Sequence, residues 1–211
     1  IGCDRGKDGM DSYLDYVWRP RRRPVEVLED FQSVKLSVDL VFDLFPWIKP
    51  RSFSIASYHP KQEIHLLSAL VQYKTVMKKE RVGLCSRWFT TLQPGSRIKM
   101  SINTGSMRLP NVVNPATPIL LLCAGTGLAP MLSFVVKLDR LESRPPAYLF
   151  YGCRKKASDS LSVTELQAKH RDWLQVFWEG SRDGPKGSAK IYLPDIVKMQ
   201  ADLIFDLLMN P

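Results

Sequence analysis

The sequence predicts an α/β plus all-β fold: a small helical segment, then an antiparallel sheet or barrel, then a parallel α/β sheet. Three observations predict it. Residues 11–48 repeat their apolar positions at helical spacing, residues 51–100 carry short period-two runs broken by proline and glycine, and residues 119–208 alternate buried-strand runs with amphipathic helical ones.

The elements follow in order. Tyr13-Leu14-x-x-Val17-Trp18, Val25-x-Val27-Leu28-x-x-Phe31 and Val38-x-x-Val41-Phe42-x-x-Phe45 each place one apolar stripe on a helix, with Ser37 as the N-cap of the third. Pro46 and Pro50 close this segment. Strand signals come next, in Phe53-x-Ile55, Ile64-x-Leu66 and Leu70-x-x-Tyr73, separated by His59-Pro60-Lys61-Gln62 and followed by a turn at Gln93-Pro-Gly95. Pro110, Pro115 and Pro118 form a joint. Beyond it the pattern predicts strand 119–123, helix 131–141, strand 148–151, helix 163–170, strand 174–178 and a final helix 195–208. The expected domain limits are 1–49, 50–114 and 115–211.

Composition narrows the class. At 211 residues and 45% hydrophobic content the chain builds a real core, and none of its apolar runs approaches the ~20 residues that span a bilayer. The first residue, Ile1, and the charged stretch around it suggest an interior piece of a longer protein. A net charge of +9 calls for anionic partners. Its densest run, Arg19 to Arg23, predicts a solvated inter-element loop rather than a nucleic-acid patch, because neither an aromatic platform nor a basic helix accompanies it. Cys3, Cys85, Cys123 and Cys153 lack metal-ligand spacing, so no metal is expected, and the strand positions of Cys123 and Cys153 suit reduced intracellular thiols.

Four motifs carry chemistry. The run Pro118 to Pro130 breaks from an apolar strand into Gly125-Thr126-Gly127 and then a helix. That turn lets a diphosphate approach the backbone and the helix's first N–H groups, although ligand-free turns of this kind are as common. On a strand, Arg51-Ser52-Phe53-Ser54 would set a cation and an aromatic ring on one side, or else an exposed arginine beside a core phenylalanine. Gly83-Leu84-Cys85-Ser86 opens a helix, either at an anion or as an ordinary turn. Gly180-Ser181-Arg182-Asp183, with Lys190 and Tyr192, lies past a strand's carboxyl end, where open α/β sheets bind ligands, or is a polar surface loop.

The order of these motifs, with Tyr151-Gly-Cys-Arg154 between the last two, resembles the ferredoxin–NADP reductase superfamily, in its diflavin reductase branch. The resemblance runs from about Val25 to the C-terminus. Residues 25–49 look like the end of the helical connecting domain of that branch. Phe53 within Phe-Ser-Ile-Ala-Ser, together with Gly-Leu-Cys-Ser, is similar to the members that supply electrons to cytosolic iron–sulfur cluster assembly.

The resemblance implies an incomplete antiparallel FAD-binding barrel and a truncated NADP-binding domain. It implies FAD contacts at Arg51, Ser52, Phe53, Ser54 and Tyr73, and at Gly83, Leu84, Cys85 and Ser86 by the diphosphate. NADPH contacts are implied at Gly125, Thr126, Gly127 and Arg154, with Ser181, Arg182, Lys190 and Tyr192 selecting the 2′-phosphate. No catalytic side-chain base is implied. The implied activity passes hydride from NADPH to FAD, then electrons to FMN in a missing domain or to an acceptor protein such as an iron–sulfur assembly factor, in the cytoplasm and without nucleic acid. Pro194 stands where the family commonly has a polar side chain. The stretch ending at Pro211 would lack the family's last strand and its flavin-covering aromatic end. A cytochrome-reductase-type relative, a single-flavin relative and a non-catalytic basic nucleotide- or nucleic-acid-binding fragment stand as alternatives.

Overall fold

The apolar run 119–124 becomes an edge strand buried on one face, at Leu121 and Cys123, with Leu122 exposed rather than buried as expected, and the alternation after it a parallel sheet. The computed structural model describes residues 6–58, 63–110, 114–159 and 163–209. The expected turn at 59–62 and Cys3 lie outside the described residues. The chain forms two compact units: Ile1–Ser52 with Ala69–Ile98, and Phe53–Ser68 with Lys99–Pro211.

The first unit begins with α1 (Lys7–Tyr13), which loosens into a π-helical turn over Leu14–Trp18, where Arg19 N–H reaches Leu14 O at 2.8 Å and Arg22 N–H reaches Val17 O at 3.0 Å. Helix α2 (Pro24–Asp30) starts on a proline, whose missing N–H would have no intrahelical partner there, and α3 (Val38–Leu44) starts after Ser37 as expected. Strands β1 (Gln72–Lys74) and β2 (Glu80–Val82) form an antiparallel ladder, followed by α4 (Leu84–Thr91). The second strand escapes the sequence reading because Glu80 and Arg81 hide a period-two pattern only three residues long.

The second unit holds a parallel sheet of order β3-β4-β5, built from β3 (Ile119–Ala124), β4 (Ala147–Cys153) and β5 (Leu174–Gly180). A 3₁₀ turn, Gly125–Gly127, leads from β3 into α5 (Leu128–Leu138). Helices α6 (Lys156–Asp159) and α7 (Val163–Lys169) cross from β4 to β5, and α8 (Leu193–Met199) and α9 (Ala201–Met209) follow. The register Leu121↔Leu149↔Val176 aligns one apolar face of the sheet, which packs with Met131, Val135 and Leu138 of α5 and Val163 of α7. On the opposite face Phe150 stacks on Phe177 at 5.0 Å. Ser57 and Tyr58 meet α5 and the turn after it, where Ser133 Oγ donates to Ser57 O at 3.1 Å and Arg140 sits over the Tyr58 ring.

Several expectations change. Residues 51–54 form no strand, and the Arg51 guanidinium instead donates to Lys49 O at 2.5 Å; the same-side argument for Arg51 and Phe53 therefore lapses. A single antiparallel bridge, Ile55↔Leu66, is what the expected hairpin there becomes. Helix α5 starts three residues early, since Pro130 fits the first turn, where an N–H has no intrahelical acceptor. The final helix is two, broken at Gln200 (φ −117°), a break that nothing in the neighbouring residue types marks. Arg22 is no solvated loop residue: it pairs with Asp30 and lies over the Tyr16 ring, while Arg19 pairs with Asp15. Among the described residues no helix is long and apolar enough to cross a membrane, and no group of side chains is set to hold a metal.

Candidate functional site

In a parallel sheet every strand delivers its carboxyl end to the same edge, so the loops that follow β3, β4 and β5 are neighbours there. The glycine turn, Arg154 and the Ser181–Arg182 pair stand in those three loops. Gly125 has φ +53°, a left-handed conformation that a side chain would strain, and the place its Cβ would occupy has no atom within 4 Å. That open cradle, next to the start of an eleven-residue helix, suits a diphosphate.

The β4–β5 ladder continues past both strands. Ser181 N–H donates to Cys153 O at 2.9 Å and Arg182 N–H donates to Arg154 O at 2.8 Å, which sets two exposed arginines on adjoining backbone. Tyr192 is the N-cap of α8 and donates its N–H to Asp195 Oδ2 at 2.9 Å; the backbone of the next residue, Leu193, lies against Gly152 near the end of β4. Tyr192 therefore stands at the same edge with its ring half exposed, and Lys190 precedes it, also exposed. The donor set is cationic, hydroxyl-bearing and aromatic, and fits a phosphorylated adenosine dinucleotide. The acidic Asp183 is turned onto the Lys156 N–H at 2.9 Å.

Beneath this edge the thiols are inert. Burial pushes Cys123 up to about 12 and Cys153 up to about 11, and burial, with the neighbouring Cys153 and Asp159, raises Tyr151 to about 12. Partial burial would raise Asp159, but the N–H groups of Lys155 and Arg154 and the Ser158 hydroxyl outweigh it and hold this carboxyl below its usual value. A small cleft lined by Arg144, Tyr148, Arg171 and Trp173 opens at the amino ends of β4 and β5, away from these residues.

The residues expected at the flavin divide between the units. Arg51, Ser52, Tyr73 and Gly83–Ser86 belong to the first, and Phe53 and Ser54 to the second. Within the first unit Arg21, with φ +54°, lays its guanidinium 4.9 Å over the Tyr73 ring, a contact the sequence reading missed. Gly83 caps α4. A Cβ on it would come within 2.7 Å of Ser86 Oγ and 2.8 Å of Val71 Cβ. Ser86 is buried, and its hydroxyl accepts from Val71 N–H at 3.1 Å and donates to Gly83 O at 3.3 Å, so it holds the turn together. The N–H groups of Leu84 and Cys85, in the first turn, lack intrahelical acceptors, an arrangement that suits an anion.

Comparison with known proteins places both sets of flavin-side residues in one family match, which crosses the two units. The family model for the FAD binding domain matches residues 4–88, and that for the oxidoreductase NAD-binding domain matches residues 121–204. The chain is similar to "NADPH-dependent diflavin oxidoreductase 1" of Mycosarcoma maydis, 37% identical over 90% of this chain and 31% of the relative. It is also similar to the proteins of that name from Candida albicans and Danio rerio, each 36% identical over 34% of the relative and 96% or 95% of this chain. The chain carries matches to two oxidoreductase domains, one FAD-binding and one NAD-binding. It spans about a third of the length of these curated relatives. FAD-binding and NAD-binding domains are the cofactor pairing the motifs implied.

Proposed function

We propose that this chain is the FAD- and NADPH-binding portion of a reductase that takes hydride from NADPH onto FAD and passes electrons to an FMN domain or a protein acceptor. The carrying observation is the carboxyl edge of β3-β4-β5, where an open left-handed glycine turn shares the sheet edge with Arg154, Ser181 and Arg182. When bound, NADPH supplies the hydride and FAD converts the pair into single electrons.

The chain's own groups bind and orient. In this proposal Gly125, Thr126 and Gly127 admit the NADPH diphosphate, Arg154 meets the diphosphate or ribose, and Ser181, Arg182 and Lys190 take the 2′-phosphate, with Tyr192 beside the adenine. On the flavin side Arg51, Ser52, Phe53, Ser54, Tyr73 and the helix start at Gly83–Ser86 hold FAD. No side chain is assigned a proton in the hydride step. We assign residues 1–49 to a connecting domain, 50–114 to the flavin domain and 115–211 to the nucleotide domain. The name of the relatives supports an NADPH-dependent diflavin reductase, and the resemblance carried by Phe53 and Gly-Leu-Cys-Ser supports placing the parent among cytoplasmic reductases that serve iron–sulfur cluster assembly.

The test is an absorbance spectrum of the purified chain after FAD addition and desalting, followed by anaerobic NADPH or NADH. Retained flavin absorbance that NADPH bleaches and NADH does not supports the reading. A chain that retains neither FAD nor NADP⁺ refutes it.

A further inference from the structure

An acidic side chain next to a phosphate site ordinarily weakens it, and Asp183 directly follows Arg182. Its carboxylate, however, is engaged elsewhere: Oδ2 accepts the backbone N–H of Lys156 at 2.9 Å, 27 residues away in the chain and in the turn after β4. The two preceding N–H groups of that turn, Arg154 and Lys155, are held by Asp159 Oδ2 at 2.9 and 3.2 Å. Two carboxylates of the chain thus fill three consecutive donors that would otherwise attract an anion.

Gly180 makes the contact possible. A Cβ there would lie 1.9 Å from Asp183 Oδ2 and 2.6 Å from its Cγ, so any side chain expels the carboxylate. Asp183 N–H also bonds Gly180 O at 3.3 Å, closing the turn. The neighbouring ladder bonds, Ser181 to Cys153 and Arg182 to Arg154, fix the loop's backbone on one side, and the Asp183–Lys156 bond ties it on the other. The Lys156 side chain reaches Glu179 Oε2 at 2.9 Å and lies over Trp178, which joins it to β5 as well.

We propose that Asp183 is a positioning residue for 2′-phosphate recognition: its bond to Lys156 N–H, admitted by Gly180, holds Ser181 and Arg182 beside Arg154 and keeps its own charge off the phosphate. This rests on the NADPH reading above. A bare charge argument predicts the opposite sign, since removing an acid beside a phosphate tightens binding.

The experiment titrates adenosine 2′,5′-bisphosphate and 5′-AMP into the 211-residue chain by calorimetry, in parallel with amide hydrogen exchange at Lys156. D183A is expected to weaken the bisphosphate about tenfold, roughly one charge-assisted hydrogen bond, and to leave 5′-AMP unchanged. D183N keeps an oxygen acceptor and should stay near the parent chain. G180A should copy D183A, and the double variant should be no weaker than either single one. Lys156 exchange should quicken in D183A and G180A and not in D183N. Tighter bisphosphate binding in both D183A and D183N, or unaltered Lys156 exchange in D183A, overturns the positioning role alone. A parent chain that does not prefer the bisphosphate over 5′-AMP overturns the NADPH reading, and this inference with it.

Discussion

Glu26 is the most strongly perturbed carboxylate in the first unit. It accepts the Arg23 N–H at 2.9 Å, Arg81 Nη2 at 2.6 Å and Lys79 Nζ at 3.1 Å. The Arg23 N–H, and behind it the two cations, hold its carboxyl down at about 2 against a usual 4.5. The folded value lies below the unfolded one, so this stabilisation is complete above pH 4.5 and drains away as the pH falls from 4.5 toward 2. Glu26→Gln should cost about 1 kcal/mol at neutral pH and flatten that acid limb, as read by thermal unfolding at several pH values; an unchanged limb refutes the assignment. The thiols make a second residue-scale test. Cys123 and Cys153 are buried with raised values, whereas Cys85 is partly exposed. Peptide mapping after brief treatment with a thiol reagent at pH 8 should find Cys85 modified and these two intact until the chain unfolds. Residue identities alone placed Arg154, Ser181 and Arg182 as candidates, but not the use of Asp183, because a bond spanning 27 residues leaves no local pattern.

At the scale of elements, two glycine turns that look alike in sequence prove different. Gly83 is required by packing, because its missing Cβ leaves room for Ser86 Oγ and Val71. Gly83→Ala should destabilise the first unit by about 1–3 kcal/mol through overpacking, and Val71→Ala in the same chain should recover part of it, as measured by denaturant unfolding. Gly125 is required by conformation and by open space, with φ +53° and no neighbour for a Cβ. Gly125→Ala should cost about 1–2 kcal/mol of stability, and calorimetry should find NADP⁺ binding weakened well beyond that cost while FAD retention is unchanged. Equal losses of both cofactors would count against the diphosphate role of this turn. Strands β3 and β4 were legible because each is a short apolar run between a proline and a glycine, and β5 because Leu174 and Val176–Trp178 make a short aliphatic and aromatic run ahead of Gly180. The 51–54 segment was not, since an Arg-x-Phe pair fits a strand equally well as a loop whose arginine folds back on its own backbone.

For the whole molecule, the buried apolar residues gather in the second unit, around Leu121, Val135, Leu149, Phe150, Val163 and Leu174. Among the described residues of the first unit the buried ones are polar: Thr75, Arg81 and Ser86. Hydrogen exchange should therefore show the slowest amides in β3, β4 and β5, with β1, β2 and α4 exchanging far sooner; comparable protection in both units contradicts this. The sequence by itself determined the three strands of the second unit, their parallel sense and the likeness to FAD- and NAD-binding oxidoreductases, because apolar periodicity, glycine turns and motif order are local properties of the chain. The tertiary structure alone decided which carboxylate answers which N–H, where Arg21 and Arg22 lay their guanidiniums, and that Gly180 must stay bare for Asp183 to reach Lys156. Those contacts join residues far apart in the chain, and only packing brings them within hydrogen-bond distance.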